Sequence, residues 1–164
     1  MKQLEKQAAV LLLADGTVFY GKAAGKIGTA TGEICFNTGM TGYQEILTDP
    51  SYAGQIVSFT FPHIGIVGTN VEDFEATTPV VRAMVTRAEA PLPSNYRNTE
   101  TLDRWLRRHN IPGLSGVDTR RLTARIREQG MPHGIVAHDP NGKFDINALV
   151  AQAKAFPGLV GLDL

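Results

Sequence analysis

The sequence predicts a mixed α/β or α+β domain, and three observations carry that prediction. Short β-branched runs crowd the first half, amphipathic helical patterns alternate with strands in the second, and a hydrophobic content of 43% excludes a disordered or collagen-like chain. A chain of this length suits a single domain, and it can bury roughly 70% of its unfolded surface, so its core needs no disulfide or structural metal.

Residues 8–14 read as a buried strand closed by Asp15-Gly16. That pair favours a two-residue type I′ hairpin turn, whose central positions both need positive φ. The strand would pair with residues 17–24, where Val18 and Tyr20 alternate against Thr17 and Phe19. After a glycine-spaced loop, residues 33–37 read as a third strand with Ile34 and Phe36 facing the core. Residues 41–48 read as a short helix ended by Asp49-Pro50, because the residue before proline disfavours helical geometry. Residues 55–61 and 80–86 are two further strands by their β-branched content. Beyond them, Asn98 or Thr99 can cap a helix that places Leu102, Trp105 and Leu106 on one apolar face. Asp118 can cap a second helix, with Leu122 and Ile126 inward and Gly130 as its stop. Residues 134–137 form a short strand, and Asp145 can cap a third helix running through Ala155.

Composition excludes several functions. Sixteen basic residues balance sixteen acidic ones, whereas a domain built for nucleic acid or an anionic membrane normally carries surplus positive charge. Cys35 is the only cysteine, which rules out an internal disulfide and a cysteine-cluster zinc site and fits a reducing cytoplasm. Residues 8–14 are too short for a membrane span and lack the cleavage site of a signal peptide. The neutral total hides an asymmetry. Residues 27–81 hold no Lys or Arg but six acidic side chains, while residues 97–127 hold eight arginines against Glu100, Asp103 and Asp118. The two stretches read either as solvated faces or as charged surfaces matched to a protein partner. No aromatic series interleaves with the arginines, as stacking on nucleic acid would require.

Catalytic motifs nearly form and then fail. Gly16 through Ala23 has phosphate-loop spacing, but Ala23 offers no hydroxyl for magnesium and the interior Thr17-Val18-Phe19-Tyr20 reads as strand. Cys35 lacks the small flanking residues of a nucleophile elbow, and Glu33 on the same strand face would raise its thiol pKa; it reads as a core residue. His63, His109, His133 and His138 show no metal-ligand spacing. Ser51 follows Asp49-Pro50 in a turn rather than a Gly-x-Ser-x-Gly elbow. No self-contained catalytic constellation is legible. The last ten residues, 155–164, are almost wholly apolar, which points to packing against either the domain itself or something further.

One long block has a specific resemblance. Glu33-Ile34-Cys35-Phe36-Asn37-Thr38-Gly39-Met40-Thr41-Gly42-Tyr43-Gln44-Glu45-Ile46-Leu47-Thr48-Asp49-Pro50-Ser51-Tyr52 closely resembles the small chain of glutamine-hydrolysing carbamoyl phosphate synthase. The similarity continues through Pro62-His63-Ile64-Gly65, Gly68-Thr69-Asn70 and Ser94-Asn95-Tyr96-Arg97-Asn98, then Gly116-Val117-Asp118-Thr119-Arg120-Arg121-Leu122-Thr123 and Phe156-Pro157-Gly158-Leu159. Ile66 stands where the family pattern has asparagine.

The resemblance implies a swivelling β/β/α domain over residues 1–152, with residues 153–164 starting a connection to a class I glutamine amidotransferase domain. In the family, that next domain holds the cysteine, histidine and glutamate that hydrolyse glutamine; none of the three is expected here, and Cys35 does not match the nucleophile. The resemblance implies that ammonia travels to a large subunit carrying ATP and magnesium, where it combines with bicarbonate and phosphate in the cytoplasm for arginine and pyrimidine synthesis. No cofactor is expected in this chain, nor any nucleic-acid or membrane partner. Its expected partners are the large subunit and the amidotransferase domain, contacted through residues 38–52 and the arginine-rich helices. Ser51 matches a family serine that borders the glutamine pocket. The competing expectation is a stand-alone protein-binding or regulatory module.

Overall fold

The computed structural model describes residues 8–37, 50–59, 66–67, 81–87 and 100–157, with backbone alone at residues 66–67, 100–103 and 105. The strands are β1 (Ala8–Leu13), β2 (Val18–Gly25), β3 (Thr29–Asn37), β4 (Gln55–Phe59), β5 (Ile66–Val67), β6 (Ala83–Val85), β7 (Glu100–Thr101), β8 (Pro112–Ser115) and β9 (His133–Asp139). The helices are α1 (Leu102–Arg108), α2 (Thr119–Gln129) and α3 (Ile146–Ala155), with a 3₁₀ turn at Pro50–Tyr52.

Why β1 is apolar throughout follows from its place. It pairs antiparallel with β2 on one side and with β9 on the other, and so closes a barrel in the order β1-β2-β8-β6-β4-β3-β9. Its inward residues Ala9, Leu11 and Leu13 join Phe19, Ile34, Ile56, Val85, Leu114 and Val136 in the interior core. Its outward residues Val10 and Leu12 pack with Ile135, Ala137 and Ala153, flanked by Ile146, Leu149 and Val150 of α3. A strand buried on both faces reads as a continuous apolar run. The pairs β3–β4, β4–β6 and β6–β8 are parallel, so long crossovers at residues 38–54, 60–82 and 86–111 link them. The two-residue strands β5 and β7 pair separately. The result is a mixed, sheet-dominated α/β fold, as the alternation of strand and helix patterns predicts.

The turn after β1 differs from the type I′ expectation. Gly16 alone has positive φ, at 97°; its N–H donates to the Leu13 carbonyl while the Leu13 N–H donates to Thr17. This is a three-residue loop ending in a glycine bulge, and it spares Asp15 the left-handed region. Asp15 instead accepts from the amide and hydroxyl of Thr17. On β2, Phe19 takes the core while Tyr20 is 66% exposed. Strand β3 starts at Thr29, earlier than expected; Ile34 is buried and Phe36 packs partly against the core. The predicted helix over 41–48 and the caps Asn98 and Thr99 lie outside the described residues, as do the side chains of Leu102 and Trp105.

The other caps form as predicted. The Asp118 carboxylate accepts from the Arg121 amide at 3.1 Å, and Asp145 does the same for Ala148 at 3.1 Å. Helix α2 joins the end of β8 to the start of β9, and its Leu122 and Ile126 enter the interior core from that mouth of the barrel. At the opposite mouth Leu106 of α1 packs against Gly25 and Gly113. There too, His138 holds three elements together. Its Nε2 faces the Gly113 carbonyl at 2.8 Å, and its Nδ1 accepts from the Gly28 amide at 3.2 Å. A neutral ring protonated on Nε2 satisfies both bonds. At the chain's far end, Phe156 is buried and meets the His133 ring edge-on at 5.1 Å, so the start of the apolar tail folds back on the domain.

Two expectations follow from the barrel's closure. A methyl at Gly134 would overlap the end of Ile34 and sit 3.0 Å from the Leu12 carbonyl, so Gly134→Ala should lower stability by roughly 1–3 kcal/mol, read as a urea midpoint shift. Burial pushes the His138 pKa below its ordinary 6.5, against the pull of the Gly113 carbonyl. The unfolded chain therefore binds this proton more readily than the folded one. Stability should fall as pH drops below about 6.5, and His138→Gln should flatten that part of the profile in denaturant titrations at successive pH values.

Candidate functional site

Strand geometry alternates side chains between faces, so with Ile34 inside the barrel, Glu33, Cys35 and Asn37 line the outer face of β3. Parallel pairing places Glu33 beside Gln55 and Cys35 beside Val57. The buried Gln55 amide is used at both ends: Nε2 donates to Glu33 Oε1 at 3.1 Å, and Oε1 accepts from Cys35 Sγ at 3.6 Å. Farther along the same stripe, Asn37 Nδ2 donates to the Tyr52 hydroxyl at 3.1 Å. That bond anchors the Pro50–Tyr52 turn to β3, and Ser51 is exposed on this turn. Ser51 has an interaction partner of its own. The turn is thus a polar element fixed to a rigid sheet, the arrangement that lets a loop present a side chain reproducibly.

Cys35 shows the opposite of nucleophile chemistry. Burial, and then the charge of Glu33, push its thiol up to about 12. An activated cysteine needs the reverse, a positive neighbour and access to solvent. The histidines are dispersed. His138 is committed to Gly113 and Gly28, His133 packs on Phe156, His109 at the end of α1 has its own partner, and His63 lies outside the described residues. Among the described residues, no group of three His, Cys, Asp or Glu side chains could hold a metal ion. The phosphate-loop-like stretch from Gly16 to Ala23 runs into β2, where Val18 to Lys22 are paired with β1. Among the described residues, no helix is long and apolar enough to cross a membrane.

The arginines divide into two groups. Arg121 lies over the Phe19 ring at 4.3 Å and donates to the Val18 carbonyl at 3.2 Å; Arg127 lies over Phe36 at 5.2 Å. Arg125 bridges Asp15 and Gln129. Burial pushes the Asp15 carboxyl up, but the Thr17 donors and the Arg125 charge outweigh it and hold Asp15 below the usual carboxylate range. These side chains fasten α2 to the barrel. Arg87 and Arg120, by contrast, line an open groove of about 730 Å³ with Gly116, Val117, Asp118 and Arg121. Sequence inspection missed this juxtaposition, because Arg87 stands 33 positions before Arg120 and only the β6–β8 pairing unites them.

The sequence comparisons agree with one another. Residues 11–136 match the family model for the carbamoyl-phosphate synthase small chain, CPSase domain. The carbamoyl phosphate synthase small chain of Rhizobium meliloti is 58% identical over 165 residues, covering 98% of this chain and 41% of the relative. That of Mesorhizobium japonicum is 57% identical over 164 residues, with 98% and 41% covered. That of Ruegeria pomeroyi is 58% identical over 161 residues, with 98% and 42% covered. The chain thus spans about two-fifths of the length of the curated relatives it matches. With 126 contiguous positions under the family model and identities this high across nearly its whole length, the chain belongs to the carbamoyl phosphate synthase small chain family, whose N-terminal part it represents.

Proposed function

We propose that this chain is the non-catalytic N-terminal domain of a carbamoyl phosphate synthase small chain, of the swivelling β/β/α type. On this reading it docks a class I glutamine amidotransferase domain and a large subunit in the cytoplasm. The amidotransferase domain hydrolyses glutamine, and the large subunit, with ATP and magnesium, condenses the ammonia with bicarbonate into carbamoyl phosphate. The observation that carries the reading is the family match over residues 11–136, taken with the inert environment of Cys35. On this reading the domain covers residues 1–152 and the connection begins in residues 153–164, the segment in which α3 ends at Ala155 and Phe156 is buried.

Enclosing the ammonia between chains matters chemically. Neutral water would protonate it to ammonium, which has no lone pair for attack, so a route shielded from solvent preserves the nucleophile. The contribution of this domain is positional. The Asn37–Tyr52 bond holds the Pro50–Tyr52 turn, and Ser51 on it borders the glutamine pocket of the docked domain, where its hydroxyl both donates and accepts a hydrogen bond.

Three outcomes test this reading. The isolated chain should release no ammonia from glutamine, and Cys35 should resist thiol alkylation in the folded state at pH 8 while reacting fully in denaturant; glutaminase activity or rapid native labelling would refute a non-catalytic domain. In the full-length small chain, Ser51→Ala should raise KM for glutamine about 3- to 30-fold, the loss of one hydrogen bond, with little change in kcat. An unchanged KM would remove Ser51 from the pocket. Finally, the full-length small chain should co-purify with the large subunit.

A further inference from the structure

We propose that the groove between Arg87, Arg120 and Arg121 is a docking site for a carboxylate-bearing segment of the large partner chain. This inference rests on the proposed assembly of small and large chains and names where their charged contact lies.

The groove's position gives it rigid walls. Arg87 follows β6, and the Gly116–Arg121 stretch follows β8, so both leave the carboxyl ends of two adjacent parallel strands. Backbone bonds lock the two stretches together: the Thr86 amide donates to the Leu114 carbonyl at 2.8 Å, and the Val117 amide donates to the Thr86 carbonyl at 3.2 Å. Gly116 makes the turn with φ of 75°, a conformation other residues rarely adopt. The Asp118 carboxylate already accepts from the Arg121 amide as the cap of α2.

The charge of the groove is unbalanced. Arg87, Arg120 and Arg121 are among its lining residues, and among the described residues Asp118 is the one carboxylate that lines it. Among the described residues, neither Arg87 nor Arg120 has a carboxylate partner, whereas Arg125 is paired with Asp15 and Arg104, Arg107 and Arg108 have partners of their own. Arg121 is held in place by the Phe19 ring and the Val18 carbonyl, which use one of its five N–H donors. A guanidinium fixed before binding loses less side-chain freedom when it meets a carboxylate, and its planar fork matches that ligand. The occupant is a protein segment on two grounds. Among the described residues no aromatic side chain lines the groove for bases to stack on, and its open shape suits an inserted loop more than an enclosed small anion.

The test uses the full-length small chain and the large chain. The double charge reversal Arg87→Glu/Arg120→Glu should weaken their association at least tenfold in biolayer interferometry at low salt and flatten its dependence on salt, with the thermal midpoint of the small chain unchanged. Arg87→Gln/Arg120→Gln, which keeps the side chains polar and avoids new negative charge, should weaken it in the same direction by a smaller factor. If wild type binds the large chain and both double variants bind within twofold of it, the groove is not the contact and the proposal falls while the assembly stands. If wild type does not bind the large chain, both readings fall. If the variants lose binding to a single-stranded RNA oligonucleotide but keep the large chain, the groove serves a nucleic acid and the proposal is likewise overturned.

Discussion

The closure of the barrel between β1 and β9 is the constraint on which the other features depend. A seven-stranded barrel has a narrow interior, and small residues at particular points make it fit. Gly32 and Gly134 face one another across the β3–β9 ladder, and Ile34 fills the space that a side chain at Gly134 would claim. Gly21 lies opposite Ala9 and close to the Ser115 carbonyl. Larger residues there would push the strands apart, and closure leaves no free edge along which the strain could be relieved.

Closure also fixes what stands at each mouth. Because β3, β4, β6 and β8 run parallel, their carboxyl ends gather at one rim, where α2 inserts Leu122 and Ile126. The arginines of α2 are sorted by that insertion. Those on the barrel side find Phe19, Phe36, Asp15 and a backbone carbonyl, and the one beyond the β6–β8 rim is left with Arg87 and open solvent. At the other rim, His138 ties β9 to β8 and to the β2–β3 connection. That bond pattern requires a neutral ring, which burial favours.

The outer face of β3 illustrates how a reactive residue type becomes structural. Glu33, Cys35 and Asn37 are polar or polarisable, and each finds its partner on or just before β4. A buried thiol beside a carboxylate is held protonated, so the cysteine contributes packing and a weak hydrogen bond. What the stripe does for function is indirect: it secures the turn that carries Ser51.

The sequence by itself determined the helices α2 and α3, their aspartate caps, the identity of the first four barrel strands and the burial of Cys35, because caps and periodicity act over a few neighbouring residues. The long block from Glu33 to Tyr52 carried the family. Only the tertiary structure decided that the sheet closes, that β1 is buried on both faces, that the Asp15-Gly16 turn holds three residues, and that His138 reaches Gly113 and Gly28. It also decided which arginines are spent inside the fold and which line a groove. These outcomes depend on partners far apart along the chain, such as Asp15 with Arg125 and Gly28 with His138, each separated by 110 positions. Local pattern cannot register such pairs, since the strand order that unites them is set by how apolar faces close around one core.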